Sequence, residues 1–181
     1  ADTNYTARGH VNEAGMNFDE GLQDVWTLPD PAAQAFDPDK DFSIAWWARV
    51  RDVITTYGVF WKGTTLRCSI SGTFRYYNVT VGLDTLVLDV DMVLDVWHHA
   101  VVTYDSTTLE MKVSANGGTN ELTSTLGAQP VPNLDAFEIG TNGTQFINAQ
   151  MEQFCYWDRV LTGPEKVELY NSGAGVNFLD V

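Results

Sequence analysis

Three aspartates at alternating positions form the pattern in this sequence that is most typical of metal binding. In the stretch DPDKD, Asp37, Asp39 and Asp41 have the D-x-D-x-D spacing that opens an EF-hand loop. An EF-hand also requires glycine at its sixth position and glutamate at its twelfth, where this chain has Phe42 and Ala48. The spacing therefore excludes an EF-hand. We favour an acidic, solvated turn before a strand and keep a looser calcium site, completed by backbone carbonyls, as the alternative.

Two adjacent histidines and a few carboxylates are the other groups that could do chemistry. His98 and His99 follow Trp97, but consecutive strand residues point to opposite faces, so we expect one imidazole packed and the other exposed. Glycosidases need two carboxylates that face one groove, whereas Glu152 and Asp158 lie six residues apart. The sequence has no G-x-S-x-G element, Cys/His nucleophile pair or phosphate loop. We therefore predict no catalytic residues and no enzyme activity.

Aromatic side chains next to polar ones suggest binding instead. In FSIAWWARV, Phe42 and Ile44 mark the apolar face of a strand, so Trp46 shares the core face and Trp47 projects from the other. A tryptophan on an exposed concave face is a good sugar platform, because pyranose C–H groups stack on its electron-rich ring. The candidate ligand-binding residues are Trp47, Arg49, Trp61, Arg75 and Tyr77.

The charge of the chain limits its partners. The 181 residues include 24 acidic and 10 basic ones, which gives a formal net charge of −14. This field repels phosphate backbones and anionic membranes, and no apolar run approaches the ~20 residues of a membrane span. We therefore predict no nucleic-acid partner and no membrane partner. We interpret the acidic surface as a solubilising one, with adaptation to salt or assembly onto a basic partner as alternatives.

The two cysteines leave two structures open. Cys68 and Cys155 lie 87 residues apart, each inside a strand-like segment. Strand cysteines are often small buried apolar groups, which is the interpretation we favour, and one long-range disulfide is the alternative. Their spacing does not resemble a metal site.

The elements that would carry these residues are short strands separated by turns. In LEMKVSA, apolar residues from Leu109 to Ala115 alternate with polar ones, and Asn-Gly-Gly follows as a turn. One helix is expected near the end, where Thr162 and Glu165 can form a capping box. Val167, Leu169 and Tyr170 give that helix an apolar side, and Gly173 can end it. These elements predict an all-β fold, a two-sheet antiparallel sandwich with one short C-terminal helix, in a single domain over residues 1–181.

Three separated segments together resemble a known family. They are MNFDEG…DVWTLPDP with FSIAWWARV, then WHHAVVTYDSTTLEMKVSANG, and finally FEIG with QMEQFCYWDRVLTGPEKVELYNSG. In this order, between Met16 and Ser172, they resemble the laminin-G-like, concanavalin-A-like jelly rolls of the lectin and glucanase type, especially the pentraxin-like group. The resemblance implies two curved antiparallel sheets of about six or seven strands each. It also implies that a loop or terminus covers Trp47.

The chain departs from this family in one loop. Pentraxin relatives carry acidic and amide calcium ligands after the FEIG-like strand, but here Thr141 to Gln150 read TNGTQFINAQ, without a carboxylate. Calcium needs six to eight oxygen ligands that usually include carboxylates, so we do not expect a pentraxin-like double calcium site. Ca²⁺ stays open as a cofactor for the Asp37–Asp41 loop alone.

Two functions fit this sequence. The first hypothesis is a non-catalytic recognition or adhesion module, extracellular or on a virion surface, that binds a glycan or another surface ligand such as a protein. The alternative is a structural virion protein, such as a phage capsid decoration or tail component, that uses the same lectin-like fold to form a homo-oligomer or a larger assembly. Because one fold serves many functions, the fold does not decide between them.

Overall fold

The computed structural model describes residues 5–6, 16–19, 21–28, 39–52, 56–71, 76–89 and 92–175, with residues 5–6 and 76–78 described by their backbone alone. These residues form thirteen strands and one helix: β1 Tyr5–Thr6, β2 Met16–Phe18, β3 Trp26–Leu28, β4 Phe42–Val50, β5 Thr56–Lys62, β6 Leu66–Ser71, β7 Tyr76–Val81, β8 Asp84–Asp89, β9 Trp97–Asp105, β10 Glu110–Ala115, β11 Asn120–Thr125, β12 Phe137–Ile139, β13 Ala149–Trp157 and α1 Gly163–Tyr170.

The strands form two antiparallel sheets. One has the order β1-β13-β4-β9-β10-β11, with β2 also paired to β13, and we name it the helix-side sheet because α1 packs on it. The other has the order β3-β12-β5-β6-β7-β8, and we name it the loop-side sheet because the loop after β12 lies on it. The predicted all-β sandwich with a short C-terminal helix is confirmed.

The core lies between the sheets, where alternate residues of each strand point inward. On β4, Ile44, Trp46 and Ala48 are fully buried, as the parity of the strand predicts. Trp46 makes an edge-to-face contact with Phe60 of the opposite sheet, with ring centroids 5.4 Å apart, and stacks on Phe154 at 6.4 Å. Trp46 thus links β4 and β13 to the loop-side sheet, and we expect its truncation to alanine to cost roughly 3–5 kcal/mol.

The two cysteines are free thiols. Cys68 lies in the core and Cys155 on β13, and both are buried. Burial raises the pKa of Cys68 well above its usual value and that of Cys155 to about 12. Both side chains therefore behave as small apolar groups.

Helix α1 begins with the predicted capping box. Glu165 Oε2 accepts hydrogen bonds from the Thr162 backbone nitrogen at 2.7 Å and from its hydroxyl at 2.8 Å. Two hydrogen bonds from Arg159, at 2.7 and 3.0 Å, add to these and lower the pKa of Glu165 to about 2. The helix ends at Tyr170, with Asn171 in the left-handed conformation, and a single 3₁₀ turn continues to Gly173, whose φ is +94°.

The apolar side of α1 lies on the outer face of the helix-side sheet. Leu161 and Leu169 pack against Ala45 and Val101, and Lys166, almost fully buried, forms a 2.7 Å ion pair with Glu121 on β11. Val167 was predicted on this side but is 57% exposed.

The expectation that one of the paired histidines is exposed was wrong. His98 is buried on the core side, where its Nε2 lies 3.0 Å from the Val93 backbone nitrogen, and His99 is buried on the outer side. Parity separates the two imidazoles as expected, but α1 and the residues after it cover the outer face as well. A strand between a core and a helix has no exposed face at that point.

Candidate functional site

Trp47 is a packed side chain on the outer face of the helix-side sheet. Its indole stacks on Tyr170, with ring centroids 5.7 Å apart and an interplanar angle of 13°, and lies 5.0 Å from the His99 ring. Only 6% of Trp47 is exposed, so the C-terminal helix covers it, as the family resemblance implies. A sugar ring has no access to the face on which Tyr170 stacks.

His99 packs beside these two rings as a neutral imidazole. Burial lowers its pKa to about 4, and its Nδ1 has no hydrogen-bond partner among the described residues. At neutral pH the imidazole is therefore uncharged, and its ring centroid lies 5.0 Å from that of Trp47 and 5.9 Å from that of Tyr170.

Arg49 lies two residues beyond Trp47 on the same face, at the edge of a hollow. The Cα register of β4 and β9 pairs Arg49 with Trp97, whose side chain is partly exposed. The hollow has a volume of about 40 Å³, enough for one or two water-sized groups. We name it the Trp97 hollow, and it is lined by Trp47, Trp97, Glu152, Gly173 and Ala174.

Planar polar groups border this hollow. One Arg49 terminal nitrogen lies 3.4 Å from the Asp95 carboxylate, and the other donates to Gln150 Oε1 at 3.5 Å. Gln150 Nε2 donates in turn to Asn17 Oδ1 at 3.0 Å, and Arg51 donates to the same oxygen at 2.6 Å. The row Asn17–Gln150–Arg49–Trp97 crosses four strands in register.

A second polar-aromatic surface lies on the outer face of the loop-side sheet. Five residues form a continuous cross-strand register on β12, β5, β6, β7 and β8, and we name them the Trp61 row: Glu138, Trp61, Arg67, Thr80 and Thr85. Arg67 and Thr85 are exposed, and Trp61 and Glu138 are partly exposed. The Arg67 Nε donates to the Thr80 hydroxyl at 3.4 Å, which lies 2.9 Å from that of Thr85.

The loop over residues 141–145 lies directly on this face beside Trp61. A methyl group on Gly58 would lie 1.8 Å from the backbone nitrogen of Asn142, so only glycine permits this approach. Gly143, with φ +91°, lies against the Trp61 indole in the same way. Within the loop, Asn142 Oδ1 accepts hydrogen bonds from the backbone nitrogens of Thr144 at 3.2 Å and Gln145 at 2.9 Å. The loop is thus a closed turn that forms a wall beside Trp61.

Of the five predicted ligand-binding residues, the three whose side chains the structure describes lie on two different sheet faces. Trp47 and Arg49 lie on the outer face of the helix-side sheet, and Trp61 lies on the outer face of the loop-side sheet. Arg75 lies outside the described residues. The Cα atom of Tyr77 pairs with that of Ile70, and its side chain also lies outside the described residues.

The comparisons with known proteins agree with this architecture. A model of the concanavalin A-like lectin/glucanases superfamily matches residues 19–165, most of the chain. The chain belongs to this family. None of the curated proteins matches it.

Solved concanavalin A-like structures share the fold at low identity. The binding domain of Paraclostridial Mosquitocidal Protein 1 has a TM-score of 0.71 and 14% identity, over 95% of this chain and 46% of that one. A putative carbohydrate binding protein from Bacteroides ovatus has a TM-score of 0.67 and 18% identity, over 89% and 47%. A Trypanosoma rangeli sialidase has a TM-score of 0.65 and 15% identity, over 95% of this chain and 29% of that one. This chain thus spans less than half of each structure, and the likeness shows the fold alone.

The described residues of this concanavalin A-like chain do not fit a pentraxin-like calcium loop. Asn142 Oδ1 is used within its own turn, and in the described ranges no group of three or more His, Cys, Asp or Glu side chains could hold a metal. Asp41 Oδ1 accepts hydrogen bonds from the Ser106 nitrogen and hydroxyl at 2.8 and 2.7 Å. Asp37 lies outside the described residues, so the looser calcium site at Asp37–Asp41 stays the untested alternative to an acidic turn. No helix in the described part of the chain is long and apolar enough to cross a membrane.

Sequence reasoning missed Trp97, Arg67 and Glu138. Each lies beside a predicted residue only through cross-strand pairing, since Trp97 pairs with Arg49 and the other two pair with Trp61. The available signal was parity on each strand, which identifies outward residues but not their neighbours.

Proposed function

We propose that this chain is a non-catalytic recognition module that binds carbohydrate or another surface ligand, and that the Trp61 row is its binding surface. The observation that carries the proposal is the register of that row, which places one indole between a carboxylate and a guanidinium on an accessible sheet face. The family membership supports it, and so do the binding domain of Paraclostridial Mosquitocidal Protein 1 and the putative carbohydrate binding protein among the similar structures.

The chemistry of the row suits a sugar. A pyranose has an apolar C–H face and a rim of hydroxyls, and each hydroxyl can both donate and accept a hydrogen bond. Trp61 can stack on the apolar face, while Glu138 accepts and Arg67 donates hydrogen bonds on either side. The wall at Gly143 lies against the indole and limits how far a ligand can slide along the sheet. The proposed ligand is therefore a neutral or cationic glycan, since a net charge of −14 disfavours polyanions.

A glycan array tests the proposal. The labelled chain is applied with and without Ca²⁺, beside Trp61→Ala and Trp26→Ala. Trp26 is a matched control because it is also partly exposed on this sheet but pairs with Ile139, outside the Trp61 row. We expect the parent and Trp26→Ala to bind the same glycans and Trp61→Ala to lose them. An array without glycan binding, or equal binding by Trp61→Ala, contradicts the proposal.

The alternative, a subunit of a larger assembly such as a virion, has one observation in its favour. Leu83 and Val131 are 99% and 71% exposed, and they follow Gly82 and Pro130, which lie against each other. Leu83 and Val131 thus extend from adjoining turns, where exposed apolar side chains can contribute to an association surface. Sedimentation velocity over a wide concentration range tests this alternative. A chain that stays monomeric throughout, and that binds glycans, contradicts it.

A further inference from the structure

The Trp97 hollow repeats, on the opposite sheet, the chemistry of the Trp61 row. We infer that the hollow and the row beside it form a second carbohydrate site, so that one chain binds two sugars on opposite faces. This inference rests on the proposed function for the class of ligand, which is a carbohydrate. The location of the second site does not depend on the proposed function. It adds Trp97 to the ligand-binding residues and pairs it with Arg49.

The first step is the aromatic platform. Trp97 is partly exposed, whereas the neighbouring Trp47 is covered by Tyr170. Trp97 therefore offers an accessible indole at the hollow, and Arg49 is its Cα partner on the adjacent strand. This arrangement matches that of Trp61 and Arg67, which are also Cα partners on adjacent strands.

The second step is unused hydrogen-bonding capacity. A guanidinium carries five N–H donors, and the recorded contacts of Arg49 are at 3.4 Å to Asp95 and 3.5 Å to Gln150, at the long end of the hydrogen-bond range. The Arg49 side chain is 39% exposed, so its terminal nitrogens can be reached from solvent. A sugar hydroxyl beside Trp97 can therefore accept a hydrogen bond from Arg49.

The third step is size. About 40 Å³ holds a hydroxyl or a hydroxymethyl group but not a pyranose ring. The ring therefore lies over Trp97 and Arg49, and one exocyclic group enters between Trp97 and the Gly173–Ala174 wall. The site should select for the configuration of the carbon that bears this group, because the other epimer directs it away from the hollow.

The indole N–H signals of the six tryptophans separate the two sites in one experiment. In ¹H–¹⁵N spectra, Trp→Phe variants assign the signals, and the protein is titrated with a panel of methyl pyranosides. We expect saturable shifts of the Trp61 and Trp97 signals, while that of the core residue Trp46 stays in place. In Trp97→Ala the indole signal of Trp47, which also lines the hollow, reports on this site: binding there should weaken by about tenfold, and the Trp61 shift should be unchanged.

A variant that fills the hollow keeps the inference falsifiable if Trp97→Ala does not fold. Ala174→Leu puts a branched side chain into the wall at a residue with φ −89°, where a larger residue adds no backbone strain. It should abolish the Trp97 shift, whereas Glu168→Leu, also an exposed C-terminal position, should not. A stationary Trp97 signal beside a moving Trp61 signal overturns the inference and leaves the proposed function in place. A shift of the Trp97 signal alone supports the second site and contradicts the proposed binding surface at the Trp61 row. If neither signal shifts, both proposals are overturned.

Discussion

The buried imidazole of His99 makes the stability of this protein depend on pH below neutrality. Burial beside Trp47 and Tyr170 lowers the pKa of His99 to about 4, from 6.5 in an exposed side chain. Between these two values the unfolded chain binds one proton that the folded chain does not, so the free energy of unfolding falls as the pH falls. The slope approaches 1.4 kcal/mol per pH unit, and the loss reaches about 2 kcal/mol at pH 5 and about 3 kcal/mol at pH 4.

Replacing His99 with phenylalanine removes this titration and keeps a ring in the same place. The free energy of unfolding is measured by urea titration at several pH values from 7 to 5, followed by tryptophan fluorescence. Carboxylates contribute little there, since even Glu165, whose pKa is about 2, loses its contribution only below its unfolded value of 4.5. We expect the difference in stability between parent and His99→Phe to change by about 2 kcal/mol across this range. Parallel pH profiles for the two proteins would refute the reasoning. They would show that the pKa of His99 is the same in the folded and unfolded chain, because solvent or a partner stabilises the charged imidazole as well as the neutral one.

Three further predictions follow from the packing. Gly58→Ala should displace the 141–145 loop and lower the melting temperature. Gly127→Ala is the control and should not, because a methyl group there meets nothing within 4 Å. Equal melting temperatures for the two variants would contradict the close approach of the loop to Gly58. Ca²⁺ should leave the melting temperature unchanged, because Asp41 is already hydrogen-bonded by Ser106, and a rise would instead indicate the looser calcium site. Cys68 and Cys155 should resist alkylation in the native protein and react as two thiols in urea, and rapid labelling without urea would show that either is accessible.

The sequence predicted most of what depends on a single strand or helix. Parity on β4 separated Trp46 from Trp47, and the capping box located the start of α1. What parity could not show was the cover on an outward face, which is why His99 was expected to be more exposed than it is. The missing information is the position of α1 on the sheet, and this depends on contacts with residues far away in the chain, such as Val101.

Sheet membership separates the candidate ligand-binding residues whose side chains the structure describes. β4 and β5 follow each other in the chain but belong to different sheets, so Arg49 and Trp61 lie on different faces of the sandwich. Conversely, Glu138 and Trp61 are distant in sequence and directly paired across β12 and β5. Register between distant strands is set by the whole sandwich, and no local pattern reports it.

The order of charges in the Trp61 row can be used to test whether a ligand is bound through directional hydrogen bonds or attracted by net charge alone. Glu138, Trp61 and Arg67 lie on three adjacent strands, and inter-strand spacings of about 4.8 Å put an acceptor and a donor on opposite sides of the indole. Glu138→Arg with Arg67→Glu reverses this order and keeps the net charge at −14. If directional hydrogen bonds to hydroxyls determine binding, the double variant should bind the parent's glycan no better than either single variant does. Recovery of the parent affinity in the double variant would show that net charge, not the arrangement around Trp61, attracts the ligand. The row would then be a charged surface and not a sugar site.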